Sequence, residues 1–149
     1  MGTAKWTSQV MNLRDIFPNL TDENHDITSP PTIKYNCIAW AAKNTDRWWE
    51  PGRHWPIESS RNEYGIGELV LAFQEIGYQE CNDGLLESDF EKLALYAIGM
   101  IYTHAARQLP DGHWTSKLGQ LEDITHATPE AIYCTDYGEV VQYMKRARS

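Results

Sequence analysis

The chain has 149 residues, 42% hydrophobic and 23% charged, which suits one globular domain able to build a core without disulfide staples. A net charge of -8 and a pI near 5.0 argue against partners that need a basic patch, nucleic acid and anionic membrane surfaces, since only Lys145, Arg146 and Arg148 cluster. The cysteines, at 37, 81 and 134, are odd in number and scattered, so they read as free thiols, and no apolar run nears the roughly 20 residues of a membrane span.

Residues 1–31 read as an extended leader strapped onto a single domain at 32–149. Its one apolar patch, from Val10 to Phe17, stops at Pro18, and the polar remainder ends in Ser29-Pro30-Pro31, which disfavours a packed element. His25, among acids, reads as solvated. No charged region followed by an apolar stretch opens the chain, so a cytoplasmic protein is expected, or one exported without a cleaved signal.

The next stretch, Tyr35-Asn36-Cys37-Ile38-Ala39-Trp40-Ala41-Ala42, predicts a helix to about Asn44. Asn36 is a strong N-cap, so Cys37 becomes the first helical residue, where the positive end of a helix dipole lowers a thiol's pKa. Ile38, Ala41 and Ala42 share a face and let the helix lie close to a sheet. The following segment, from Thr45 to Pro56, holds Trp48, Trp49 and Trp55 between two prolines; it reads as a loop of aromatics that either seals the core edge or touches substrate. Ile66, Leu69, Val70 and Phe73 recur at helical spacing in a helix over 62–76 stopped by Gly77. Cys81 lies in an acidic connection, and neighbouring negative charge makes it a poor nucleophile.

From Lys92 the period changes to two. Strands are expected at Leu93–Ile98, Ile101–Leu109 and His113–Leu118, with a hairpin at Pro110-Asp111-Gly112. A three-residue loop pairs Leu109 with His113 and puts His104, Ala106, Gln108, Trp114 and Ser116 on one face. The opposite set, Arg107, His113, Thr115 and Lys117, is polar and reads as the solvent side. His104 then points inward, toward the helix bearing Cys37. An imidazole that takes the thiol proton and returns it to a leaving group is the core of thiol catalysis, and a third polar group orients the ring. Ser116 has the position for that role, Asp123 the better chemistry, and His126 is a rival. A helical turn from Thr128 to Tyr133 and a strand over Glu139–Met144 close the chain. No close-spaced Cys or His pair suggests a metal, and no cofactor is expected.

This order, Tyr35-Asn36-Cys37-Ile38-Ala39-Trp40-Ala41, then Tyr102-Thr103-His104-Ala105-Ala106, then Trp114-Thr115-Ser116-Lys117-Leu118-Gly119, with Tyr137-Gly138 before a last strand, resembles papain-like cysteine hydrolases. Within them it resembles the bacterial NlpC-type amidase and endopeptidase branch and its uncharacterised relatives. The resemblance implies an α+β papain-like core, with an antiparallel sheet packed on the cysteine helix. It implies Cys37 as nucleophile, His104 as base and Ser116 as orienter, although that branch usually carries His, Asn or Gln there. A papain-style Gln before the cysteine is missing, so the oxyanion donors would be the Cys37 N–H with the Tyr35 hydroxyl or the Asn36 amide. Trp48, Trp49 and Trp114 are candidate substrate contacts. The expected function is hydrolysis of an amide bond in a peptide or protein. A cysteine-dependent transferase or toxin-like glutamine deamidase, and a noncatalytic binding module, are the alternatives.

Overall fold

A computed structural model describes residue 13 and residues 15–58 and 64–148. Seven strands form one antiparallel sheet: β1 (His25–Ser29), β2 (Gln79–Cys81), β3 (Phe90–Ile98), β4 (Ile101–Gln108), β5 (Trp114–Lys117), β6 (Asp123–His126) and β7 (Glu139–Ala147). Their order is β1-β6-β5-β4-β3-β7-β2. Of the elements that lie wholly among the described residues, two are short helices, α1 (Cys37–Ala41) and α2 (Ile66–Glu75), and one is a 3₁₀ turn (Pro129–Ile132). The protein is thus mostly β, which corrects the expectation of an α+β papain-like core: five helical residues in α1 and ten in α2 cannot form that fold's helical half.

Local chemistry explains why α1 is short. The Asn36 side chain accepts from Ala39 N–H at 3.1 Å and starts the helix. Lys43 then adopts φ 63°, with Lys43 N–H donating to Trp40 O and Asn44 N–H to Ala39 O. Those two bonds form a Schellman stop, built here on lysine instead of the usual glycine, so the helix ends after Ala41. In α2, Leu69, Val70, Ala72 and Phe73 are buried and Gly77 follows at φ 101°. The expected start of that helix at Asn62 lies outside the described residues, as do Val10, Met11, Asn12 and Arg14 of the apolar patch in the leader.

The sheet is buried on both faces. Leu93, Leu95, Ala105 and Met144 pack under α1, α2 and Trp49. Ala94, Tyr96, Ala106, Trp114, Leu118 and Ile124 pack under Leu13, Phe17, Leu20 and the 3₁₀ turn. The leader therefore supplies both a layer of the core and an edge strand, because β1 pairs with β6 through His25↔His126 and Ile27↔Ile124. His25, expected to be solvated, is 8% exposed and its Nδ1 meets Thr21 O.

The hairpin forms as expected, with Leu109 N–H donating to His113 O and Gln108 opposite Trp114. Of the set read as the solvent side, His113 is exposed and Arg107 partly so, but Thr115 and Lys117 are not on a solvent side. Thr115 and Lys117 are buried beneath α1, and Trp40 Nε1 donates to Thr115 Oγ1 at 2.9 Å. A polar set on a strand pair marks a solvent face only where that face is open, and α1 covers the stretch that holds Thr115 and Lys117.

Candidate functional site

β4 and β5 share only two ladder pairs, Arg107↔Thr115 and Gln108↔Trp114. α1 packs against both strands. Strand alternation aims the N–H groups of Leu109, Arg107 and Ala105 toward β5, and the last of these reaches the Cys37 sulfur. The thiol therefore lies against the peptide bond that joins His104 to Ala105. The N–H groups of Ile38 and of Cys37 itself also face it, and the Lys117 ammonium is within electrostatic reach. Burial outweighs all of these and pushes the thiol up to about 11. The sequence expectation of a lowered thiol pKa is corrected on this point, since one and a half turns of helix make a weak dipole and desolvation of the thiolate dominates.

His104 leaves β4 on the face opposite α1, where a bulge at Tyr96/Ala97 places it opposite Tyr96. The expectation that it points toward the helix bearing Cys37 is thus corrected, because strand alternation gives that side to Ala105, and no hydrogen bond joins the ring to the thiol. The ring is fully buried and stacks on Tyr137 with centroids 4.3 Å apart and planes 12° apart. Tyr137 is held there because Gly138, at φ 70°, lies so close to β3 that a Cβ would stand 2.3 Å from Ala97 O. Thr103 Oγ1 also donates to Tyr137 O.

A line of hydrogen bonds runs away from His104. Nε2 lies 3.0 Å from Ser116 Oγ, which lies 2.8 Å from His126 Nε2, and His126 Nδ1 lies 2.8 Å from Thr128 O. A carbonyl can only accept, so His126 carries its proton on Nδ1 and its Nε2 accepts from the Ser116 hydroxyl. Ser116 Oγ must then accept from His104 Nε2–H. The tautomer of His104 follows: Nε2 is protonated and Nδ1 holds a bare lone pair. That Nδ1 is buried and has no hydrogen-bond partner. Burial holds His104 well below the usual imidazole range, with His126 adding to the effect, and brings His126 down to about 4. Both rings are uncharged at neutral pH.

Of the candidate orienters, Ser116 touches His104 and His126 supports Ser116 from behind. Asp123 does neither. Its Oδ2 accepts from Tyr35 OH at 2.5 Å and from Ser29 Oγ. Tyr35 OH and Asn36 Nδ2, the two side chains expected to hold an oxyanion, are both committed elsewhere, the second to Trp49 O at 2.7 Å. Only backbone N–H groups face the thiol as donors among the described contacts. Trp49 is buried in the core cluster with Cys37, and Trp48 Nε1 donates to Glu50 Oε1 at 2.9 Å. Trp114 is 3% exposed and tilts against Tyr143 in the opposite core, so it does not border Cys37. Cys81 and Cys134 have thiols raised chiefly by burial. Among the described residues no three His, Cys, Asp or Glu side chains gather as metal ligands.

A family model described as a domain of unknown function, DUF7689, matches residues 26–145. The chain belongs to the DUF7689 family. The matched span takes in nearly all of β1 and runs into β7, so it holds Cys37, His104, Ser116 and His126 together. No curated protein and no solved structure matches the chain. Sequence reasoning missed three residues of this site. Tyr137 stacks on the imidazole, Tyr102 stands near the thiol and Lys117 charges its surroundings. Tyr102 and Lys117 lay inside the quoted motifs, two residues from His104 and one from Ser116, but their side of the sheet depends on the bulge and on what covers each face.

Proposed function

We propose that this protein is a cysteine-dependent hydrolase of amide bonds, with Cys37 as nucleophile and His104 as general base. What supports the reading is the unpartnered lone pair on His104 Nδ1, one residue along β4 from Ala105, whose backbone N–H acts on the Cys37 thiol. A base needs its lone pair free and its other nitrogen tied down, and the Ser116–His126 line ties down Nε2. What is carried over from papain-like hydrolases is this chemistry and not their fold.

The resting pair is neutral, a thiol and an imidazole, because burial disfavours both charged forms. Attack therefore needs the ring to come within reach of the thiol and then couples to proton transfer: Sγ bonds to the carbonyl carbon as its proton passes to Nδ1. The resulting imidazolium then gives that proton to the leaving amine as the C–N bond breaks. Water, deprotonated by the same nitrogen, cleaves the thioester and releases the acid, and the proton on Nδ1 returns to the departing Cys37 sulfur. In this reading the backbone N–H groups at the head of α1 hold the oxyanion, supported by their action on the thiol, and Lys117 adds positive potential.

The test is acylation by p-nitrophenyl acetate, with the modified residue located by mass spectrometry. Cys37 should acylate far faster than Cys81 and Cys134, and His104→Gln should slow it by about 10²- to 10³-fold. Because His104 protonates only well below the usual imidazole range, the wild-type rate should hold level as pH falls through 6.5. Equal labelling of the three thiols, or an unaffected His104→Gln variant, would overturn the assignment.

A further inference from the structure

The sheet face that carries α1 ends in a group of cations. Arg107 of β4 lies opposite Leu93 of β3, and two residues before Leu93, on the same face, Glu91 lies opposite Arg146 of β7. Lys43, just past α1, reaches over to Glu91 Oε1. Arg148 follows beyond Arg146, with its Nη2 donating to Phe90 O at 2.9 Å, and both arginines act on Arg107. The basic tail that stood alone in the sequence thus gathers two distant cations, in a chain whose net charge is -8.

Glu91 is the carboxylate at the centre, and both of its oxygens are taken. Oε1 accepts from Lys43, while Oε2 accepts from Arg146 Nη2 at 3.1 Å and from Tyr78 OH at 3.2 Å. Arg146 is fixed as well: its guanidinium lies 4.3 Å over the Tyr78 ring, and Nη1 donates to Ile76 O at 2.7 Å. Arg107 is left over. Its Nε is sealed from solvent without an acceptor, and among the described residues no side chain or carbonyl accepts from its guanidinium. Burial disfavours its charge first, and the like charges of Arg146 and Arg148 add to this against the pull of Glu91. A desolvated guanidinium without an anion is costly to keep. The cluster is also within reach of solvent, since the Lys43 side chain is 45% exposed and that of Arg146 28%.

We propose that this cluster is a binding site for a phosphate dianion, with Arg107 as its central donor and Lys43 and Arg146 at its rim. The Arg107 Nε–H and the Nη–H beside it form the fork that holds two phosphate oxygens at once. One carboxylate does not neutralise Lys43, Arg107 and Arg146, and a doubly charged oxyanion matches the surplus where chloride does not. Free phosphate and a phosphate monoester share this chemistry. The site stands apart from the hydrolase reading, because none of these side chains serves Cys37.

The test is an NMR titration of the whole chain that follows amide shifts, at an ionic strength held constant with sodium chloride. Inorganic phosphate and phenyl phosphate are the probes. Inorganic phosphate should give saturable shifts around Lys43, Arg107 and Arg146, with a Kd of about 1 mM. Arg107→Gln should weaken binding about tenfold. Lys43→Gln alters an exposed side chain and should weaken it about threefold; it decides the matter alone if the first variant does not fold. Tighter binding of phenyl phosphate assigns the site to a monoester, and equal or weaker binding assigns it to free phosphate. Shifts that do not saturate, that chloride reproduces, or that persist with unchanged affinity in folded Arg107→Gln or, failing that, in Lys43→Gln overturn the site.

Discussion

Two buried polar groups hang from the same pair of strands, one on each face. Ser116 and His126 point to one side and reach His104, while Lys117 and Asp123 point to the other and meet Tyr35 and Ser29. Neighbouring residues on β5 thus serve separate systems, as strand alternation demands. The first system is a line with one end open, at His104 Nδ1. The second gathers around Asp123 Oδ2 and two carbonyls, with Lys117 Nζ donating to Gly119 O and Leu121 O, and it too leaves a buried acceptor open, at Asp123 Oδ1. The open acceptor is an imidazole nitrogen in the first and a carboxylate oxygen in the second, and only the second joins the leader to the sheet, through Ser29. Burial and polarity alone do not distinguish the two; the kind of group left open and the chain segments it ties do.

Acid should separate them most strongly. His126 is held down to about 4 from an ordinary 6.5, so between those values the unfolded chain binds the proton that the folded chain refuses. Stability is full above about pH 6.5 and falls by about 3 kcal/mol by pH 4, with His104 acting in the same direction. Urea unfolding at pH 7.5 and 4.5 measures this loss. His126→Gln should flatten the slope; a wild-type profile without slope would show that the imidazoles are not buried neutral.

Removing the carboxylate on the other face has a different signature. Asp123→Asn should destabilise the fold by about 2 kcal/mol, through weakened bonds to Tyr35 and Ser29, yet leave Cys37 acylation within about twofold. A large loss of rate with unchanged stability would return Asp123 to the role of orienter. The smallest effect is expected for Tyr35→Phe, which deletes one donor to Asp123 while Ser29 remains, at about 1 kcal/mol in denaturant and no change in rate. A rate loss there would make the Tyr35 hydroxyl an oxyanion donor after all.

Much of the local structure was legible. Asn36 announced the head of α1, Gly77 the end of α2, and Pro110-Asp111-Gly112 the register that puts His104 and Ser116 on one face. Three strands were not legible. β1 lay in a polar stretch ending in two prolines, β2 is three residues long, and β6 is a four-residue piece whose partners lie on either side of it in space. Short edge and inner strands carry too few residues for a period to show.

Bonds spanning a few residues follow from local chemistry, so the sequence by itself determined the caps, the turn and the pairing of neighbours in the hairpin. The covering of both faces was decided only in the tertiary structure, because it depends on the leader and α1 arriving from distant parts of the chain. That covering buries Lys117, raises the Cys37 thiol and removes the charge from both histidines. It also leaves His104 Nδ1 unpartnered, one residue along β4 from the Ala105 N–H that acts on the Cys37 thiol, since a lone pair's freedom depends on every group packed around it.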